Sequence, residues 1–243
     1  MRVIHCEQNT AEWLEIRRGK ITASRICDVM AVLTRKSKNG VAGEPAAARI
    51  KYRTELMAER TTGRVPDHFV TPAMAWGHEY EGRARDAYEI AAGAMVEKVG
   101  FILHPTLDFA GASPDSLVGN DGGLEIKCPL MTTHLEWMEA GVVPEEHRDQ
   151  MQFNMLCGER EWWDFMSFDP RQQEGGKVFI RRLERDEQRI AEIEEQVISL
   201  NADVNRVIGA IGLRVYVPPA RVIDNRTDLE QLEAMIDQQE LVP

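Results

Sequence analysis

Apolar positions recur along this chain with two periods, one helical and one alternating. Up to about residue 92 the helical period dominates. Thr10 opens a stretch carrying Trp13, Leu14 and Ile16 that ends at Arg17 and Gly19, and Thr22-Ala23-Ser24 opens a second helix with Ile26, Val29 and Met30 on its apolar face. A third helix is predicted over 45–62 and stopped by Gly63. A fourth starts after Val70, with Thr71 as cap and Pro72 in its first turn, and sets Trp76, Tyr80, Ala84 and Tyr88 on related faces. Alternation then takes over. Residues 95–103 predict one strand, and 109–118 and 123–128 predict the arms of a hairpin. The turn between them, Gly119-Asn120-Asp121-Gly122-Gly123, is built from residues that tolerate positive φ. Helices follow over 132–140 and 144–157, then strands over 161–168 and 177–183. Ile190, Ile193, Val197, Leu200, Val204 and Val207 form one stripe on a helix of about 25 residues, expected to pack on the sheet, with an oligomer interface as the alternative. Beyond Pro218-Pro219 the chain turns polar, and Leu229, Leu232, Met235 and Ile236 predict a short amphipathic helix. The expected organisation is one mixed α/β domain over residues 1–210, a central mixed sheet flanked by helices, and a tail over 211–243.

Composition narrows the class. A chain of 243 residues with 43% hydrophobic content is long enough to bury one large core. No apolar run approaches a membrane span and the first residues lack a signal-peptide core, so a cytoplasmic protein of a bacterial or phage-infected cell is expected, with no membrane partner. Cys6, Cys27, Cys128 and Cys157 are scattered, which argues for free thiols and against structural zinc or an iron–sulfur cluster. The histidines show no metal-ligand spacing; only His147 stands out, as a candidate site-lining group. The net charge of −11 is unevenly spread: residues 1–60 hold 12 Lys and Arg against 7 Asp and Glu, the remainder 17 against 33. The basic excess sits at Arg17, Arg18, Lys20 and Arg25, then at Arg35, Lys36 and Lys38. Such a patch on an acidic body attracts a polyanion locally while limiting indiscriminate binding.

The hairpin carries the candidate chemistry. Pro114-Asp115 lies on its first arm and Glu125-Ile126-Lys127 on its second. Strand side chains alternate, so Glu125 and Lys127 share a face and Ile126 points away. A turn centred near Asn120-Asp121 brings Asp115 almost opposite Ile126 or Lys127. Two carboxylates held together repel by roughly 4 kcal/mol at about 4 Å and an effective dielectric near 20, so the pair needs a counter-ion. Hard oxygen ligands suit Mg²⁺ or Mn²⁺, and a lysine beside them can orient a water or neutralise charge on a phosphate. On these residues alone, a solvated surface hairpin with an ordinary Glu, Asp and Lys face fits the pattern as well. Trp162-Trp163 reads as core and edge packing rather than a base-stacking platform.

The neighbouring segments change that balance. Trp13-Leu-Glu-Ile-Arg17-Arg18-Gly19-Lys20-Ile21-Thr22-Ala23-Ser24, Ala75-Trp76-Gly77-His78-Glu79-Tyr80-Glu81, the hairpin pair, and Gln150-Met151-Gln152 follow one another in an order and with gaps that resemble the lambda exonuclease and YqaJ-type viral recombinase nucleases, within the PD-(D/E)xK superfamily. Asp169-Pro170-Arg171 and Glu184-Arg185-Asp186-Glu187 resemble later segments of that family. The resemblance implies a restriction-endonuclease-like core. It implies metal binding by Asp115, Glu125 and the backbone carbonyl of Ile126, with Lys127 catalytic, Glu81 in the metal or active-site network and Gln150 beside the scissile phosphate. Arg17 and Ser24, with Thr22, resemble a 5′-phosphate anchor. An acidic residue that family members carry a few positions before the Pro-Asp pair has no match in register; Pro105 falls there, with Asp108 close by.

The activity implied is a Mg²⁺-dependent 5′→3′ exonuclease, with Mn²⁺ as a substitute. It acts on linear double-stranded DNA, leaves 3′ overhangs for phage-type recombination, works as a homotrimer and partners a single-strand annealing protein. An endonuclease or nickase on the same fold is the alternative, and a catalytically silent DNA-end binder a further one. A helix N-terminus at Thr22-Ala23-Ser24 would favour a phosphate through its free N–H groups, with the Arg17 fork beside it; the plainer reading makes Ser24 an N-cap and Arg17 a surface residue.

Overall fold

The computed structural model describes residues 1–36, 40–65 and 71–217, and within these the strands gather into two sheets rather than one. Lys38, His68, Val70 and the amphipathic helix expected around Leu229–Ile236 lie outside the described residues. The first sheet has the order β1 (Arg2–Ile4), β4 (Phe101–Leu103), β5 (Ala110–Ala112), β2 (Ile21–Thr22); its pairings are antiparallel except for the parallel β5–β2 pair. The second has the order β3 (Val96–Glu97), β6 (Ser116–Val118), β7 (Gly122–Lys127), β8 (Trp162–Phe168), β9 (Val178–Glu184), with β7–β8 parallel and the others antiparallel. Both sheets are mixed and flanked by helices, as the class predicts.

The split corrects two expected strands. Residues 95–103 form β3 and β4, one in each sheet, and residues 109–118 form β5 and β6 in the same way. Each of these two runs therefore crosses between the sheets, near Val99 and at Ser113-Pro114-Asp115. Proline cannot donate to a ladder, which is why the second run breaks where it does. Gln8 ties the two crossings together, its Nε2 donating to Val99 O and to Pro114 O, both at 2.9 Å. Asp115 stands at a corner between sheets, not within a strand.

The helices follow their sequence signals closely. They are α1 (Ala11–Arg17), α2 (Ile26–Val29), α3 (Ala47–Thr62), α4 (Pro72–Ala92), α5 (Met131–Ala140), α6 (Glu145–Gly158) and α7 (Glu187–Ala210). Thr10 and Thr71 cap α1 and α4, accepting from Trp13 N and Met74 N. The expected helix opening at Thr22-Ala23-Ser24 is different: Ile21–Thr22 is a strand, Ala23–Arg25 a 3-10 turn, and α2 lasts one turn. Parallel pairing of Ile21 and Thr22 with Ala110 and Gly111 takes the residues that would have begun the helix. The α7 stripe is buried at Ile190, Ile193, Val197, Leu200, Val204 and Ile208, so the period of 3.6 shifts its last position from Val207 to Ile208. It packs on α2, α3 and α6 rather than on a sheet. The stripe is therefore covered within the chain itself.

Two apolar clusters sandwich the second sheet. One face, with Trp163 and Phe165, packs beneath α6 and joins the larger core; the other, with Leu124, Ile126 and Met166, packs against Ala84 and Tyr88 of α4. Gly122 and Gly123 lie in register with Trp162 and Trp163, and a Cβ on either would stand 2.2–2.3 Å from an indole ring. Only glycine fits beneath those rings. Trp163 is fully buried, and the Arg182 guanidinium lies 3.4 Å over Trp162, so the tryptophan pair packs as core and edge.

Candidate active site

Alternation along β7 sets the site. Glu125 and Lys127 point to the α6 face and Ile126 to the α4 face, and Lys127 Nζ donates to Glu125 Oε1 at 2.5 Å. The β6–β7 register pairs Ser116 with Leu124, which continues to Asp115 opposite Glu125. Asp115 Oδ2 accepts the Ile126 N–H at 2.6 Å, so the corner carboxylate is locked onto β7. Ile126 contributes its N–H to this contact.

Each flanking helix adds a layer. On α6, one turn apart, Gln150 Nε2 donates to Glu125 Oε1 at 2.7 Å and Asn154 Nδ2 to Glu125 Oε2 at 3.2 Å. On α4, Glu81 Oε1 accepts from Arg85 Nη2 at 2.6 Å. Arg85 also donates to Ser116 Oγ at 3.0 Å and to the Asp115 carbonyl at 3.3 Å. Glu81 thus reaches the corner through Arg85, which is almost fully buried. Arg85 and Asn154 are absent from the sequence expectations. Each sits four residues from an expected site residue on the same helix, a spacing that signals a shared face.

The electrostatics describe a pair of carboxylates short of positive charge. Burial, then Glu125 and Glu81, push the Asp115 carboxyl up to about 8, against the opposing pull of Lys127 and the Ile126 N–H. Burial lowers the Lys127 ammonium, but the Glu125 and Asp115 carboxylates outweigh it and leave the group raised and charged. His147 is held neutral, its pKa lowered to about 3 by burial and by Lys127. It stacks on Phe165 at 5.3 Å and meets Trp137 edge-on, a packed wall beside the lysine.

Among the described residues no three His, Cys, Asp or Glu side chains are grouped to hold an ion. A pair of carboxylates fits Mg²⁺, which binds through one or two carboxylates and keeps much of its hydration shell, better than the closed nitrogen and sulfur cage of zinc. Asp108, near the unmatched acidic position, pairs with Arg2 at the surface and is 84% exposed.

The expected phosphate residues meet beside the same corner. Trp13 Nε1 and Arg17 Nη1 both donate to Ser113 Oγ, at 2.9 and 3.0 Å, two residues before Asp115. Arg17 Nη2 lies 3.5 Å from Thr22 Oγ1 and 3.4 Å from Ser24 Oγ, with its guanidinium 4.1 Å over the Trp13 ring. Desolvation lowers its pKa to about 10, so it stays charged. No long helix begins here, and Ser24 makes no cap; the groups gathered at this point are the Arg17 fork and the Thr22 and Ser24 hydroxyls.

The later matching segments are structural. Arg171 is held by fully buried Asp169, donates to Pro129 O at 3.0 Å and lies 4.5 Å over Trp76. Gln152 bonds Glu184 O and Asp186 N, and Arg185 bonds Met155 O, fastening the start of α7 to α6.

Comparison with known proteins agrees with this constellation. The model of the YqaJ-like viral recombinase domain matches residues 12–161. The crystal structure of an alkaline exonuclease (LHK-Exo) from Laribacter hongkongensis is 42% identical, covers 83% of this chain and 96% of its own, and superposes with a TM-score of 0.73. Its complex with dAMP gives 0.74 at the same identity and coverage. A phage related exonuclease from Haemophilus somnus 129PT, 16% identical with a TM-score of 0.59 over 79% of this chain and 96% of its own, shares the fold. Comparison with curated proteins gave no match. The architecture is a mixed α/β fold of the PD-(D/E)xK type. With more than half its length matched by the family model, the chain belongs to the YqaJ-like viral recombinase family.

Proposed function

We propose that this protein is a Mg²⁺-dependent exodeoxyribonuclease that enters linear duplex DNA at its ends, degrades the 5′-terminated strand 5′→3′ and leaves 3′ single-stranded overhangs for recombination. The observation that carries this reading is the meeting, at one corner, of the Asp115–Glu125–Lys127 group and the Arg17–Thr22–Ser24 group, linked through Ser113. The 42% identical alkaline exonuclease supports the reaction class.

In this mechanism Asp115, Glu125 and the Ile126 carbonyl would hold the ion. When bound, it supplies a water of lowered pKa and positive charge beside the phosphorus. Lys127, kept protonated between two carboxylates, donates to the nonbridging oxygen that gains charge and orients the attacking water. Gln150, close enough to bond Glu125, donates to the scissile phosphate once that carboxylate is otherwise engaged. Arg17 with the Ser24 and Thr22 hydroxyls grips the terminal 5′-phosphate, and that grip sets polarity by fixing which end the corner reads. Glu81 and Arg85 hold the Asp115–Ser116 backbone against α4.

Beyond the single chain we propose a homotrimer that retains DNA by encircling it, a single-strand annealing protein as partner, and action in the cytoplasm of a phage-infected or lysogenic bacterial cell. A net charge of −11 suits topological retention better than a tight electrostatic clamp, because phosphate contacts weaken steeply with salt. The nuclease domain is proposed to span 1–210 and the tail 211–243. The deciding experiment is incubation with linear and covalently closed circular duplex, with Mg²⁺ or EDTA. Loss of linear DNA alone, only with Mg²⁺, is expected. Cleavage of the closed circle would replace the exonuclease by an endonuclease.

A further inference from the structure

Asn154 is a polar side chain where the surroundings call for an apolar one. It is 1% exposed, on the part of α6 that buries Met151, Phe153, Met155 and Cys157. Its Nδ2 donates to Glu125 Oε2, while its Oδ1 has no hydrogen-bond donor among the described residues. An orphaned buried acceptor destabilises a fold, and an apolar residue of the same shape would remove that cost. The NH₂ end of the amide faces the Glu125 carboxylate, so the carbonyl end faces away from it.

The two oxygens of Glu125 are bonded differently. Oε1 is shared by Lys127 and Gln150, both only partly buried and both with other proposed duties on the phosphate. Oε2 is bonded by Asn154 in a fully enclosed contact. The Oε1 partners are exchangeable; the Oε2 partner is built into the core.

We propose that Asn154 is a positioning residue that holds Glu125 by Oε2, fixing the carboxylate plane and leaving Oε1 as the oxygen offered to the divalent cation. This rests on the metal-dependent nuclease reading and adds to it a residue that never touches DNA. Groups that orient a ligand from behind typically change metal affinity or activity by about 10–100-fold when removed.

The test is Asn154→Leu in the full chain, with Mg²⁺ titrated against the thermal stability of metal-free protein and against cleavage of 5′-phosphorylated linear duplex. The expected variant folds, needs about tenfold or more Mg²⁺ for half its stabilisation, and loses kcat by a similar factor, while KM for DNA stays within about twofold. Excess Mg²⁺ recovers part of the kcat. A variant with wild-type Mg²⁺ midpoint and kcat overturns the proposal. If Asn154→Leu does not fold, Asn154→Ser and Asn154→Ala take its place. Serine keeps a donor and is expected to hold its midpoint nearer wild type than alanine; equal midpoints overturn the proposal. Wild type that shows neither Mg²⁺ stabilisation nor Mg²⁺-stimulated cleavage defeats the nuclease reading and this inference with it, whereas an active wild type with an indifferent Asn154→Leu defeats the inference alone.

Discussion

Replacing Asp115 by asparagine is expected to make the metal-free protein more stable and the enzyme inactive. The side chain keeps its shape, and an asparagine oxygen still accepts the Ile126 N–H that Asp115 Oδ2 accepts at 2.6 Å. What disappears is a carboxyl whose pKa rises from 3.8 to about 8 on folding, through burial first and Glu125 second. The sign follows from proton counting. Below pH 4 both folded and unfolded chains hold the proton and nothing is lost. Between pH 4 and 8 the unfolded chain has released it while the folded chain keeps it, so stability falls as pH rises, by about 1.4 kcal/mol per unit for one full proton. Asp115 is only part-buried and its charge is shared with Glu125 and Lys127, so about half of the nominal window, roughly 2–3 kcal/mol, is expected. In urea unfolding with EDTA, Asp115→Asn should match wild type near pH 4.5 and exceed it by that margin near pH 8.5. Saturating Mg²⁺ should raise wild type at pH 8.5 and leave the variant nearly unmoved, since an ion that binds only the folded state stabilises it by mass action. A variant equal to or weaker than wild type at pH 8.5 in EDTA would refute the claim that this corner is short of positive charge.

Three further outcomes are expected. Lys127→Ala should lower kcat by about 100-fold or more while the Mg²⁺ midpoint and DNA-end binding persist, measured by single-turnover cleavage and end-labelled binding; loss of Mg²⁺ binding would shift the lysine's role to the ligand set. Arg17→Ala should shrink the rate advantage of 5′-phosphorylated over 5′-hydroxyl ends more than it slows hydroxyl ends, and a wild type indifferent to the phosphate would remove the anchor. His104, 1% exposed and lowered to about 4 by burial, accepts the Thr106 and Leu107 N–H groups at Nδ1, so it folds neutral. Wild-type stability should therefore fall by about 3 kcal/mol as pH drops from 6.5 to 4, and His104→Asn, which keeps an acceptor, should flatten that limb in acid urea titrations.

Much of this molecule was legible because its signals are local. Thr71-Pro72, Gly63 and the stripe from Ile190 mark helices whose caps and faces the structure reproduces, and Glu125 and Lys127 share a face because strands alternate. The crossings between sheets were not legible. Near Val99 the break falls within Glu97-Lys98-Val99-Gly100, which carries no distinct turn signal, and the bond from Gln8 that pins it comes from 91 residues away. Thr22-Ala23-Ser24 read as a helix start because its caps are favourable, yet a parallel pairing with Ala110 and Gly111 overrode that preference. Asn154 escaped notice because nothing near it in the chain marks a polar duty; its partner lies on β7, and only the fold brings the two together.

The glycines beneath the two tryptophans act as the ruler of the site. Trp162 covers Gly122 on one face of β7 and Trp163 covers Gly123 on the other, so sliding β7 by one place drives a Cβ-bearing residue under a ring. Such a slip would also send Glu125 and Lys127 to the α4 side and bring Ile126 to the α6 side, because side chains alternate every residue. Length changes at the tip around Asn120 are therefore tolerable only where the tryptophan–glycine pairs stay matched. Drift in the loop and constancy in the Glu125–Lys127 face are made compatible by two residues that have no side chain at all.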